Sequence, residues 1–390
     1  MKLFFITDAR FYQTPDGNIY SGEFSFSDIL WRRYKQQFFE IYVLARLFYV
    51  EDFVKEENKI TEVTILPIEA FESSTSFLTL RNKIKNVISL YFNEHQPHAV
   101  IIRGAGSIGY LASRYCIAIN MSYGIEVIGD PYDVFAPGVI KHPLRAVLRR
   151  LFTYYQKKAV YNASSVIYVT QNKLQTRYPS NPKAFQTYAS DVAINEVVRN
   201  VKKINNYYLV KLISVGSLEQ MYKGPDILLK AVKLLVDKNI KVSLTWLGHG
   251  THLQEMAALA DNLDIGNYVD FKGSVDNETL IKDLDESDIF VLASRTEGLP
   301  RAIVEAMARS LPCIGSNVGG IPELVNTKLL FDVENSKQLA DKIELLISDA
   351  NFYEKMSDYS IKKATNFSPS VLDKRRNSFF ESLVKNKNYR

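Results

Sequence analysis

The sequence predicts an α/β fold built as two doubly wound, Rossmann-like domains facing a central cleft. Three observations predict it. At 390 residues the chain exceeds what one ordinary core organises. Short apolar runs alternate with longer helical patterns throughout, the mark of parallel sheets. That alternation halts at the polar stretch "RNVKKINNYY" and then restarts. The reading is therefore a first domain over 1–205, a second over 206–365, and a final helix over 366–390 packing back on the first.

In the first half "KLFFIT", "EVTILP", "AVIIR", "IEVIGD" and "SSVIYVT" read as strands. In the second half "VKLISVGS", "KVSLTWLG", "YVDFKG", "DIFVLAS" and "LPCIGS" do so, with helical patterns such as "GPDILLKAVKLLVDK" between them. The final helix is "SPSVLDKRRNSFFESLVKN", amphipathic in pattern. Hydrophobic residues make up 46% and charged residues 23%, the balance of a soluble globular protein. The apolar run after Met1 is too short for a secretion signal. The run "IYVLARLFYV" is broken by Arg46 and falls short of the roughly 20 residues a membrane span needs. Cys116 and Cys313 lie far apart and read as reduced core thiols, so the expected compartment is cytoplasmic.

The strongest chemical signal is "SRTEGLPRAIVEAMARSLP", residues 294 to 312. It follows the strand "DIFVLAS" directly. Pro300 suits a first helical position, and Gly298 permits a tight turn and close ligand approach. Free amides at such a helix start favour a phosphate or diphosphate. Glu297 stands just before the helix, where it can meet sugar hydroxyls or simply favour the helix end. Glu305 stands inside it, suited to a vicinal diol, or to a salt-bridge link between Arg301 and Arg309. Other strand ends converge on the same cleft. Gly216 and Ser217 precede Lys223, a point-charge phosphate ligand. Gly248, Gly273 and the pair Gly319–Gly320 close three more strands.

These residues carry a family resemblance. Glu297, Gly298, Pro300, Glu305, Ala306, Met307 and Ala308 match the "EGxPxxxxEAMA" setting of the Glu-x7-Glu motif. Lys223-Gly224 matches the family's "KG", and Gly320 to Glu323 its "GxPE". The chain resembles the retaining group 1 glycosyltransferases, which have the GT-B fold. The resemblance implies a UDP- or GDP-sugar donor. It also implies a donor diphosphate on Lys223, a donor sugar by Glu297 with Gly298, Leu299 and Pro300, and a ribose on Glu305. The base would lie at Gly273–Val275. It further implies bacterial surface-polysaccharide assembly and a lipid-linked or oligosaccharide acceptor. A GT-B epimerase acting on nucleotide sugars would share the fold. One departure stands out: Ser217 occupies the place of the family's usual arginine, and Arg295 or Arg103 is the candidate replacement.

No cofactor or metal is expected. Asp283–Asp285 spells a DxD, but it lies in a helical pattern and reads as a solvated face. Lys223 and a helix start suffice for the leaving diphosphate.

In the first half, Arg103 to Gly109 spell "RGAGSIG" after a strand, with Asp130 ending the next one. That keeps an NAD-dependent oxidoreductase as a rival, although the fingerprint usually sits in the first βα unit. In the preferred reading Gly104 and Gly106 offer amides to an acceptor phosphate. Gly17 and Gly22 are weaker candidates for a diphosphate loop. In "GDPYDVFAPG" the family's frequent histidine is missing, so Asp130 is the candidate for its role and Asp133 the second. Turn chemistry explains "GDP" as well.

The net charge is +5, yet no Asp or Glu occurs from Val134 through Ser190. That window holds Lys141, Arg145, Arg149, Arg150, Lys157 and Lys158 beside an apolar helical stripe. It reads either as a helix docking on anionic membrane or as a packed helix with a basic face. No nucleic-acid module is recognisable, so nucleic acid is not expected as a partner.

Overall fold

The computed structural model describes residues 1–385, apart from 24–25, 54–57, 73, 137–141, 193, 195 and 205–208. The domain boundary read at 205, Lys141 and residues 386–390 lie outside the described residues.

The first sheet is built from β1 (Lys2–Gln13), β2 (Ile19–Ser21), β3 (Glu40–Tyr49), β4 (Thr64–Glu69), β5 (Ala99–Arg103), β6 (Gly124–Val127), β7 (Ser165–Tyr168) and β8 (Phe185–Tyr188). Its helices are α1 (Asp28–Lys35), α2 (Ser74–His95), α3 (Ser107–Ala118), α4 (Pro131–Val134), α5 (Arg145–Asn162) and α6 (Lys173–Arg177). The strand order is β4-β3-β1-β5-β6-β7-β8, parallel throughout, with β2 antiparallel on β1. All residues of β5, β6 and β7 are buried, because helices cover both faces.

The run broken by Arg46 is strand β3, which the sequence reading did not count as one. Arg46 is accommodated inside the fold. It donates to the carbonyls of Phe71, at 2.9 Å, and Asp8, and lies over the Phe71 ring. Its charge therefore broke a membrane pattern without breaking a strand.

The second sheet is built from β9 (Val210–Val215), β10 (Val242–Leu247), β11 (Val269–Gly273), β12 (Ile289–Leu292), β13 (Cys313–Ser316) and β14 (Leu330–Phe331). Its helices are α7 (Pro225–Asp237), α8 (Leu253–Asn262), α9 (Asn277–Glu286), α10 (Arg301–Ala308), α11 (Ile321–Leu324), α12 (Ser336–Ser348) and α13 (Ala350–Ala364). The order is β11-β10-β9-β12-β13-β14, all parallel. Winding direction switches between β9 and β12 here, and between β1 and β5 in the first sheet. Crevices at such switch points, outside the strand C-termini, are where open α/β sheets bind ligands.

The last helix, α14 (Pro369–Lys385), leaves the second domain and packs on β7 and β8. Leu372, Phe379, Phe380 and Leu383 are buried there. Side chains Phe379 and Leu383 press so closely on Gly124 that a Cβ added there would meet them at 2.8 and 2.7 Å. Arg376 donates to the Ser190 carbonyl and Ser382 shares a 2.7 Å hydrogen bond with Ser165.

Candidate active site

The loops after β9 and β12 flank the second switch point, and each delivers a charged side chain to a shared ion pair. After β9 a single 3-10 turn, Met221–Lys223, ends at Gly224 with φ +65°. A Cβ at Gly224 would run into the Ala293 carbonyl, so only glycine lets this turn close on the end of β12. Gly216 leaves room for the lysine stem in the same way, since its Cβ would meet Lys223 Cγ at 2.8 Å. Lys223 Nζ then donates to Glu297 Oε1 at 2.6 Å, and Ser294 Oγ donates to the same oxygen at 2.7 Å. The two charged side chains are only 13% and 8% exposed. Burial alone would lower the Lys223 pKa; the Glu297 carboxylate outweighs it and holds the lysine above its ordinary value. The pair is nearly buried.

Arg295 is adjacent, but its donors are spent. It holds Asp226 with both terminal nitrogens at 3.0 and 2.9 Å, grips Glu334 through Nε and Nη2, and donates to the Met221 carbonyl at 2.6 Å. Its backbone N–H donates to the Tyr222 carbonyl at 2.6 Å. Arg103, the other candidate replacement, is buried between Glu126, at 2.6 Å, and Asp191. Neither guanidinium has the freedom to replace an arginine at Ser217. Ser217 itself accepts from the Glu219 amide at 3.2 Å and closes its own turn.

Helix α10 begins one residue later than read, with Pro300 as its extended N-cap. Glu305 is not a salt-bridge link. Arg309 is engaged by Asp285 at 2.7 Å, and among the described residues no ion pair joins Glu305 to Arg301. Burial raises the Glu305 pKa, and the nearby charges of Arg301 and Lys223 only partly offset it. Around this helix start the backbones are in contact. Gly320 N donates to Gly298 O at 2.7 Å, with Leu299 alongside. A Cβ on Gly298 would meet the Ile128 carbonyl of the first domain at 2.7 Å. Gly248 N donates to Gly273 O at 2.7 Å, and Gly273, with φ +71°, faces open space. Val275 packs partly buried beneath that loop.

Across the cleft, the loop of Gly104 and Gly106 is already filled. Asp8, at a bulge in β1, accepts from the amides of Ile108, at 3.0 Å, and Gly109, at 3.4 Å. A Cβ on Gly106 would strike its carboxylate at 2.5 Å. The Ile108 and Gly109 amides are therefore taken by Asp8, and the Gly104 amide donates to the Glu126 carbonyl at 2.9 Å. Asp130 is also occupied: it caps α4 through the Tyr132 amide at 3.0 Å, accepts from Tyr178 Oη at 2.5 Å, and pairs with Arg177. Burial raises its pKa, against the pull of the Tyr178 hydrogen bond and Arg177. Asp133 shares Arg177 at 2.8 Å. The turn-chemistry account of "GDP" fits this arrangement, in which Asp130 caps α4 and pairs with Arg177. Gly17 and Gly22 lie in the β1–β2 hairpin, bonded to Thr14 and Arg10 carbonyls, and no described contact brings them to Lys223 or Glu297.

Residues 199–363 match the family model for glycosyl transferases group 1. The chain is similar along most of its length to Protein CapJ of Staphylococcus aureus. The two are 29% identical over 358 residues, covering 91% of this chain and 88% of that one. By the family match the second half of the chain is a group 1 glycosyltransferase domain. Among solved structures, sucrose-phosphate synthase from Thermosynechococcus elongatus superposes with TM-score 0.71 at 14% identity, covering 99% of this chain and 100% of that one. Anabaena HepE in complex with UDP does so with TM-score 0.67 at 16% identity, covering 98% and 100%. That likeness is one of fold, and the fold is GT-B.

In this glycosyltransferase, sequence reasoning missed how the domains meet. Glu323, matched only as the end of "GxPE", reaches across the cleft to the start of α6. Its carboxylate accepts from the amides of Gln171, Asn172 and Lys173 at 2.5, 2.9 and 2.6 Å. A loop beginning "TQN" before a helix was the available signal for an anion-hungry terminus. Asp283 departs from the solvated-face reading: its side chain is 7% exposed and paired with Lys272 at 2.7 Å. Among the described residues no cluster of three metal-ligating side chains occurs. On α5 the apolar stripe is split. Leu148 and Tyr155 are buried, whereas Leu144 and Val147 are exposed. Among the described residues no helix is long and apolar enough to cross a membrane.

Proposed function

We propose that this glycosyltransferase moves a sugar from a UDP- or GDP-sugar to a lipid-linked or oligosaccharide acceptor, with retention of configuration and without a metal. The observation that carries the proposal is the buried Lys223–Glu297 pair at the second switch point, beside a Glu305 that holds no described partner. An arriving diphosphate competes for the lysine, and the glutamate it releases is then free to accept from a donor-sugar hydroxyl. Leaving negative charge falls on Lys223 and on the amides at the start of α10, a stabilisation that preorganised donors supply. Glu305 takes the ribose diol, and the Gly273–Val275 loop faces the base. That HepE is solved with UDP supports a nucleotide in this cleft. The family resemblance points the product to bacterial surface polysaccharide, and the basic α5 to the cytoplasmic face of an anionic membrane.

The test is a thermal-shift panel of UDP, GDP, ADP and their sugars, followed by turnover with and without acceptor. The matching nucleotide at a hundred times its dissociation constant should add about 2.7 kcal/mol of stability. Lys223→Ala should then lower kcat/KM by about 10²- to 10³-fold. Donor conversion without transfer to any acceptor would favour the epimerase, and stabilisation by none of the nucleotides would end the reading.

A further inference from the structure

The first domain carries a pocket beside the cleft that the donor site does not use. Ala105, Ile128 and Val134 line it, with Phe135 and Phe152 stacked at 5.4 Å and 7°. Polar groups at its margin are committed elsewhere. Gln156 donates to the Gly129 carbonyl at 2.9 Å, and Asp130 holds Tyr178, Arg177 and the Tyr132 amide. A saccharide entering this pocket would trade water for carbon and leave hydroxyls unpaired, which costs free energy. An alkyl chain would gain instead.

The adjoining face of the α4–α5 pair is cationic. Arg145, Arg149, Arg150 and Lys157 line a groove there with Tyr132 and Tyr154. No acid stands in sequence from Val134 through Ser190 to offset them. Arg145 joins the two faces, because its guanidinium donates to the carbonyl of Phe135 at 2.9 Å. Beyond the groove Leu144 and Val147 are 51% and 60% exposed, and Tyr154 on its wall is 50% exposed. Carbon on one side and cations on the other match one kind of molecule.

We infer that this wall seats a lipid phosphate, with the tail lying against Val134 and the stacked Phe135–Phe152 pair and the phosphate on the α5 cations. The inference rests on the transfer reading for its role, and it selects the lipid-linked acceptor over the free oligosaccharide. It also gives the membrane-facing helix a specific task.

Calorimetric titration of alkyl phosphates from butyl to decyl, kept below their micelle concentrations, tests it. Affinity should rise by up to roughly fourfold for each buried methylene, and maltotriose should not compete. Val134→Asp, at an exposed position, should weaken decyl phosphate by at least tenfold. Arg150→Gln with Lys157→Gln should weaken decyl phosphate while leaving the uncharged decyl maltoside unchanged. Affinity independent of chain length, competition by maltotriose, or a Val134→Asp variant binding like the wild type would each overturn the lipid seat. UDP and GDP binding, measured on the same samples, separates the two claims. Nucleotide binding without alkyl phosphate binding sinks the seat alone. Alkyl phosphate binding without nucleotide binding keeps the seat and sinks the donor site.

Discussion

Glu305 has a carboxyl that burial pushes above its ordinary value of 4.5, with Arg301 and Lys223 pulling against the shift. The sign of the consequence follows from proton counting. Between the unfolded and the raised folded pKa the native state binds more protons than the unfolded state, so stability falls as pH rises through that window. Glu305→Gln should remove this fall. The variant should match the wild type below both values and melt at a higher temperature at pH 7, in the absence of nucleotide. A parallel pH dependence of Tm in the two proteins would show that the carboxyl is not strained. The stored cost has a use: Glu305→Gln should also lose most of the wild type's preference for nucleotide over its 2′-deoxy analogue. At this scale the sequence was informative wherever chemistry is local, as in the glycines that let Lys223 approach. It was silent on Asp8, whose amide partners lie a hundred residues away along the chain.

Between elements, Arg295 braces the end of β12 against the 3-10 turn that carries Lys223. Five side-chain donors and one backbone donor converge on Asp226, Glu334, Met221 and Tyr222. Lysine cannot form two forks at once, so Arg295→Lys should lower donor affinity and kcat together. A double-mutant cycle decides how. If the arginine acts through Lys223, combining Arg295→Lys with Lys223→Ala should be scarcely worse than Lys223→Ala alone. Full additivity of the two losses would mean that Arg295 acts on the substrate by itself. The elements involved were legible because their strands are short apolar-rich runs set between helical patterns. Strand β8, "FQTY", and strand β14, "LF", were not, being too polar or too short to show a period. Strand β3 was hidden by its arginine. Helix α5 showed its stripe, but periodicity cannot reveal which part of a stripe the fold leaves uncovered.

Over the whole molecule, Glu323 on the α6 amides and α14 on the first sheet both tie the halves together. Phe380 is buried between Tyr34, at 5.4 Å, and Phe38, at 5.8 Å. Phe380→Ala should cost about 3–5 kcal/mol in urea unfolding, and the loss should appear in the first domain's transition. A loss confined to the second domain would contradict the packing of α14. The return of α14 has a mechanical consequence as well. The polypeptide enters the second domain after β8 and comes back before Pro369, so the domain is suspended from two tethers rather than one. A body on a single tether swivels. One held at two points is restricted to rocking about the line that joins them, and that is the motion that opens and shuts a cleft without swinging its two walls past each other.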